Sequence, residues 1–304
     1  MAIAHEGLEE AAAADLEGSA FDVRALVNAP VITSAANSSI KAAAKLAARK
    51  GRRDEGMFLV AGPQAASEAV DQLVELFITP QAVHEHVHLL RDAADAGSRI
   101  RTVTPEVLRA LADTVTPQGM VGVAPIRQVS LADVVSTARF LVVLDGVSDP
   151  GNAGTIVRTA DAAGADAVVF VRGSVDPYNP KAVRASTGSV FHLPLVTGVD
   201  PEELHTLADA GLQLLAADVH ASVPLDEVDL SVPTALVFGG EAAGLSSVAV
   251  EACSVSVHIP IATTQRDGYS GHAESLNLAA AVAVMAYSVN SAQSHPSTKT
   301  PPTP

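Results

Sequence analysis

Apolar residues in the second half of the chain gather into short unbroken runs instead of alternating with polar ones. FLVVL (140–144), AVVFV (167–171), LQLLAA (212–217) and TALVF (234–238) are separated by helix-like stretches such as AGTIVRTADAAG. Strands buried on both faces read this way, so the pattern predicts an α/β unit with a parallel sheet covered on each side. Further strands are expected at VFHLPLV (190–196) and VSVHIPI (255–261), with a helix near 201–210 and a last helix from Glu274. The first half carries a second, smaller α/β alternation: strands MFLVAG (57–62), ELFITP (75–80) and GMVGVAP (119–125), and helices over about 63–73 and 83–95.

This divides the chain into a leader at 1–30, a small domain at 31–125, a linker at 126–139, a larger domain at 140–288 and a tail at 289–304. The leader is Ala-rich and acidic, and the tail ends in PSTKTPPTP, so both are expected to lie outside any core. Within the small domain, Ser38–Arg53 is helix-prone, and Lys41, Lys45 and Arg49 recur at i, i+4, stacking three cations on one face.

The 304 residues are 48% hydrophobic and 17% charged, enough apolar side chain for two cores. No apolar run approaches the roughly 20 residues that a membrane span needs, and acids at Glu6, Glu9, Glu10, Asp15 and Glu17 argue against a secretory leader. One cysteine, Cys253, precludes an internal disulfide and a cysteine zinc cluster, which fits the cytoplasm. A net charge of −15 argues at first against nucleic acid. Its distribution changes that picture: Val23–Arg53 holds no Asp or Glu, while Lys41, Lys45, Arg49, Lys50, Arg52 and Arg53 fall within it. The stripe reads either as a solvated helix face or as an RNA contact.

Three segments break the apolar rhythm at strand ends, where open α/β sheets place ligands. In LDGVSDPGNAGTIVRTADAAG (144–164), glycines make a tight strand-to-helix turn, Asn152 sits where a side chain would cap the helix, and Arg158 follows among apolar residues. An anionic partner for Arg158 or an ordinary salt bridge would each account for it. In VFGGEAAGLS (237–246), Gly239 and Gly240 allow close approach to the backbone, with Glu241 next. In ESLNLAAAVAVMAY (274–287), Ser275 and Asn277 stand at the entrance of an apolar helix, where capping is the plain explanation. Dinucleotide, P-loop, nucleophile-elbow and zincin motifs are missing, and the alternating His84, His86 and His88 do not demand a metal.

Taken together and in this order, DPGNAGTIVRTADAAG, NPKAVRASTGSVFHLPL (179–195), LVFGGEAAGLS and IPI…ESLNLAAAVAVMAY resemble the SpoU (TrmH-type) family of RNA ribose 2'-O-methyltransferases, of the SPOUT superfamily. The region from ITSAANSSIKAAAKLAARKGRRDEGMFLVAG through TPQGMVGVA is similar to the L30e-like substrate-binding domain of many members, but Ala61 stands where an acid is common. The resemblance implies a C-terminal α/β knot, a deep trefoil with a parallel sheet, and a homodimer formed through it. It also implies S-adenosylmethionine as cofactor, no metal, and large-subunit ribosomal RNA as substrate, with tRNA or a non-catalytic ribosome-assembly role as alternatives. Carried over by position, Asn152, Arg158, Glu241, Ser275 and Asn277 are the functional residues. Phe238, Gly239, Gly240, Ile259, Ile261, Ser275 and Leu276 would hold the cofactor, and Lys41, Lys45, Arg49, Lys50, Arg52, Arg53 and Arg184 the RNA. The loop ATTQRDGYSGHA (262–273) is longer than the usual link and is expected to act as a lid carrying Arg266 and Tyr269.

Overall fold

The computed structural model describes residues 22–112, 117–262 and 273–294. The expected leader up to residue 21, the lid with Arg266 and Tyr269, and positions 295–304 lie outside them. The chain divides into two compact units, Met1–Pro125 and Ile126–Pro304.

In the first unit the elements run α1 (Val23–Val27), α2 (Ser38–Lys45), α3 (Arg49–Glu55), β1 (Met57–Ala61), α4 (Pro63–Glu68), β2 (Glu75–Ile78), α5 (Pro80–Glu85), α6 (Val87–Asp95), β3 (Arg99–Thr102), α7 (Pro105–Ala112) and β4 (Met120–Pro125). The sheet order is β1-β4-β2-β3, with β4 antiparallel to both neighbours and β2 parallel to β3. Ile40, Leu46, Leu59, Phe77, Leu108 and Val121 belong to one buried cluster beside it. Strand β3, RIRT, carries two arginines in four residues, so its composition hid it; Arg101 pairs with Glu75 on β2.

The helix expected over Ser38–Arg53 is two helices. Leu46 buries its side chain (3% exposed), and Ala48 is extended (φ −91°, ψ 141°). Lys45 and Arg49 therefore do not share one continuous helical face. Arg52 lies inside this corner at 2% exposure, its Nη1 donating to the carbonyls of Leu46 (2.9 Å) and Ala47 (2.8 Å). Those carbonyls would continue a helix; the break orphans them and the guanidinium fork satisfies them. Arg52 is thus a structural residue, which corrects its assignment to RNA. Lys41, Lys45, Arg49, Lys50 and Arg53 remain exposed.

The second unit runs α8 (Leu131–Val135), β5 (Phe140–Asp145), α9 (Pro150–Ala162), β6 (Ala167–Val171), α10 (Pro180–Ser186), β7 (Leu195–Val199), α11 (His205–Asp209), β8 (Gln213–Ala217), β9 (Val223–Pro224), β10 (Thr234–Gly239), α12 (Ser247–Ala252), β11 (Val255–His258) and α13 (Leu278–Ser294). Its seven strands are ordered β7-β6-β5-β10-β8-β11-β9 and every pairing is parallel. All strands therefore end at one edge. From β5 the chain first builds outward through β6 and β7, then returns to the other side with β8 to β11. That reversal next to β5 is where a ligand crevice opens in such sheets.

Boundaries shift from expectation in several places. In the first unit, part of the expected leader folds, since Val23–Val27 form α1 with Leu26 buried, and the helix expected at 83–95 is two, Pro80–Glu85 and Val87–Asp95. The others lie in the second unit. Residues 126–139 are no free linker: Ser130 and Asp133 form a capping box, and α8 buries Leu131 and Val134 in the core of the second unit. VFHLPLV opens with a 3-10 turn at Ser189–Phe191, and the strand begins only at Leu195. The last helix starts at Leu278 and continues to Ser294, so 289–294 belong to the fold: Val289 is fully buried, Asn290 donates to Ala163 O (2.8 Å), and Gln293 donates to Arg139 O (3.2 Å) and Val232 O (3.0 Å).

Replacing Arg52 with Ala leaves two carbonyls unsatisfied in a buried corner. The expected loss is ~2–4 kcal/mol of stability in the first unit, read as a lower urea midpoint by circular dichroism. An unchanged midpoint would return Arg52 to the surface.

Candidate active site

The turn after β5 leads into α9 through Asp149-Pro150. The Asp149 carboxylate accepts the N–H of Asn152 (2.8 Å) and the Lys181 ammonium (2.8 Å). Hydrogen bonding by Lys181, with the Asn152 N–H second, holds this carboxyl below its usual value. Asp149 is the cap, where the sequence suggested Asn152. The Asn152 side chain is thereby released to reach across the sheet edge, donating from Nδ2 to Glu241 Oε1 at 2.6 Å. Arg158 lies farther along the same helix, exposed, and Thr187 Oγ1 accepts from its Nη1 at 3.3 Å. No carboxylate pairs with Arg158 among the described residues.

Gly239 ends β10 and Gly240 follows it. A Cβ on Gly239 would lie 2.2 Å from the Gly244 carbonyl carbon, and one on Gly240 would lie 2.5 Å from Gly146 O. Gly240 and Gly244 also exchange backbone hydrogen bonds, N–H of Gly240 to Gly244 O (3.1 Å) and the reverse (2.8 Å). The glycines are needed first for this contact between two turns of the protein itself, before any ligand approaches. Asp145, buried at the end of β5, accepts the N–H of Ser246 (2.7 Å) and ties the far side of the same loop down.

Asn277 opens α13: its Oδ1 accepts the N–H of Ala279 (3.0 Å). Beside it a cavity of about 610 Å³ lies between the ends of β8, β10 and β11 and the start of α13. Its wall includes Phe238, Gly239, Gly240, Ile259, Ile261, Ser275 and Leu276, together with Glu241 and Asn277. Three segments separated in sequence thus meet at one cavity. Asn152 joins it through Glu241, whereas Arg158 lies outside the wall, and Arg184 is half-buried on α10. Asp218 and His220, after β8, and His258 also line the cavity without any motif to announce them. His258 Nδ1 is buried with no hydrogen-bond partner among the described residues. Among the described residues no group of three or more His, Cys, Asp or Glu could hold a metal ion.

Cys253 stands apart from this chemistry. Burial, then the charge of Asp145, pushes its thiol up to about 12, and its Sγ donates to Ala249 O (3.1 Å). The thiol stays protonated throughout the neutral range, so the folded chain should react with a thiol reagent at pH 7.5 at least ~100-fold more slowly than the urea-unfolded chain. Equal rates would contradict the buried placement. Gly240→Ala forces a methyl group against Gly146 O; the expected cost is ~1–3 kcal/mol, read as a melting temperature lowered by several degrees. An unchanged melting point would show that the two turns do not touch.

The SpoU rRNA Methylase family model matches residues 139–287, and an MRM3-like substrate binding domain matches 37–122. The 23S rRNA (guanosine(2553)-2'-O)-methyltransferase RlmP of Bacillus subtilis is 33% identical over 262 residues, covering 84% of this chain and 97% of that one. The 23S rRNA (uridine(2479)-2'-O)-methyltransferase of Streptomyces viridochromogenes is 32% identical, over 80% of this chain and 86% of its own. The crystal structure of an AdoMet-bound rRNA methyltransferase from Sinorhizobium meliloti superposes with a TM-score of 0.74 at 30% identity, covering 86% of this chain and 97% of that chain. With the match spanning both units and the three motifs gathered at one sheet edge, the chain belongs to the SpoU rRNA methylase family.

Proposed function

We propose that this protein is an S-adenosylmethionine-dependent methyltransferase acting on a ribose 2'-hydroxyl of ribosomal RNA, 23S rRNA being the favoured substrate. The observation that carries the reading is the 2.6 Å link from Asn152 to Glu241. It joins the cavity wall to the helix that presents a guanidinium without a carboxylate partner among the described residues.

The cavity suits the cofactor by size and by lining. About 610 Å³ falls within the range of small-molecule sites. Phe238, Ile259 and Leu276 offer apolar contact for a purine, and Glu241, Ser275 and exposed main-chain groups offer polar partners for its charged end. S-adenosylmethionine, when bound there, supplies an electrophilic methyl group. The chain's own residues supply alignment: Gly239 and Gly240 form a wall of main chain, and Glu241, fixed by Asn152, sets its rim. A guanidinium has no lone pair suited to accept a proton, so Arg158 is not cast as the general base. Its role is to bind RNA phosphate and to stabilise negative charge developing on the 2'-oxygen, the proton leaving to that phosphate or to water.

Lys41, Lys45, Arg49, Lys50 and Arg53, all exposed, and half-buried Arg184 are the proposed phosphate contacts. At 3% aromatic residues, recognition rests on shape and phosphate in preference to base stacking. We also propose a homodimer formed through the α/β knot. Val284 and Tyr287 on α13 are exposed (43% and 52%) beside a groove that Leu225, Leu230 and Pro260 share, which supports a second copy packing there. The placement of β11 between the earlier strands β8 and β9 is in keeping with a knotted path. No helix among the described residues is long and apolar enough to cross a membrane, and the cytoplasm is the proposed compartment.

The test is transfer of labelled methyl from S-adenosylmethionine to protein-free 23S rRNA and to ribosomal particles from cells lacking the gene, followed by mapping of 2'-O-methylated positions. One labelled ribose is expected, with Arg158→Ala reducing the rate ~100-fold or more and Arg158→Lys recovering only part of it. No label on any RNA would overturn the enzymatic reading and leave an RNA-binding factor.

A further inference from the structure

Among the described residues Thr187 is the only one other than glycine with a positive φ, 54° (ψ 34°). It ends α10 in the left-handed region, its N–H donating to Arg184 O, and Gly188 follows at φ 105°. A β-branched residue is poorly suited to this conformation, and glycine or asparagine is the ordinary choice at such a helix end. Packing does not demand threonine: the side chain is exposed. Its hydroxyl instead accepts from Nη1 of Arg158 at 3.3 Å and itself donates to Ala185 O at 3.4 Å. With no carboxylate on Arg158 among the described residues, this neutral hydroxyl is the group that fixes where the guanidinium points.

We propose that Thr187 is a positioning residue for Arg158, held in an unfavourable backbone conformation because that conformation aims its hydroxyl at the guanidinium. The inference rests on the role given to Arg158 above. A carboxylate in this place would orient the side chain more firmly but would neutralise it, and a phosphate would then have to compete for it. A hydroxyl orients it and leaves its charge available. The helices that carry the pair are in direct register, because Gly154 lets α9 approach α10 until a Cβ there would lie 2.2 Å from Ala182 O. Strain retained at a functional position is the pattern that separates such a residue from a structural one, whose removal lowers activity and stability together.

The experiment uses full-length protein, protein-free 23S rRNA and labelled S-adenosylmethionine, with kcat, both KM values and thermal unfolding measured for each variant. Thr187→Gly relieves the backbone and removes the hydroxyl: the melting temperature should rise by ~2–4 °C while kcat falls roughly 5- to 10-fold and the KM for S-adenosylmethionine is unchanged. Thr187→Ser keeps the hydroxyl and should restore most of kcat. In an Arg158→Ala background, Thr187→Gly should cost nothing further. The proposal is overturned by Thr187→Gly at wild-type kcat, by a Ser variant no better than Gly, or by an additive loss in the double variant. A wild-type enzyme that transfers no methyl, or an Arg158→Ala variant as active as wild type, would instead remove the reading on which it stands.

Discussion

The site depends on a place where two turns of main chain touch with no side chain between them. At Gly240 the end of β10 approaches the Gly146 carbonyl so closely that even a methyl group would collide, and at Gly239 the same strand meets the returning loop at Gly244. The parallel ladder that pairs Gly239 with Asp145 sets the relative height of β5 and β10, and the missing side chains let the turns beyond it close to contact. Everything that follows is set by that height. Glu241 is the first side chain clear of the contact, and it emerges where Asn152, on the helix after β5, can meet it. A wall made of backbone also limits what the cavity can read: main-chain groups offer fixed donors and acceptors, and discrimination falls to the side chains on the rim.

The parallel sheet was legible because its strands are unbroken runs of Val and Leu, a pattern few other structures tolerate. The three site segments were legible because glycine, proline and isolated polar residues interrupt those runs at strand ends. What stayed hidden depended on contacts between residues distant in sequence. Local propensity favours one helix across Ser38–Arg53; burial of Leu46 and the reach of Arg52 to its carbonyl break it. Asp149 and Asn152 are both acceptable caps by residue type, and only the position of Lys181 and Glu241 assigns each its partner. The glycines of the second motif suggested close approach by a ligand, but the nearest neighbour is the chain itself. Thr187 offered no sequence signal, since nothing local predicts a left-handed threonine.

Charge is distributed to match. The chain carries −15 overall, yet the described cations at the second unit's crevice are differently engaged. Lys181 is committed to Asp149, a structural pair that caps a helix. Arg158, a few turns away, meets only a hydroxyl among the described residues. Two cations on neighbouring helices are thus held differently, one by a carboxylate and one by a hydroxyl.

The end of α13 bears on how the chain reaches this state. Gln293 donates to the carbonyls of Arg139 and Val232, just before β5 and β10, and Asn290 donates to Ala163 just after α9. Arg139 and Val232 stand at the entry points of β5 and β10, which Gln293 reaches from 154 and 61 residues further along the chain. The first unit has all its strands by Pro125 and can close while synthesis continues. The second unit is fastened only once residues 290–293 have been made. A chain cut before residue 290 would keep every strand of both sheets and lose the three hydrogen bonds that fasten α13 to the second unit.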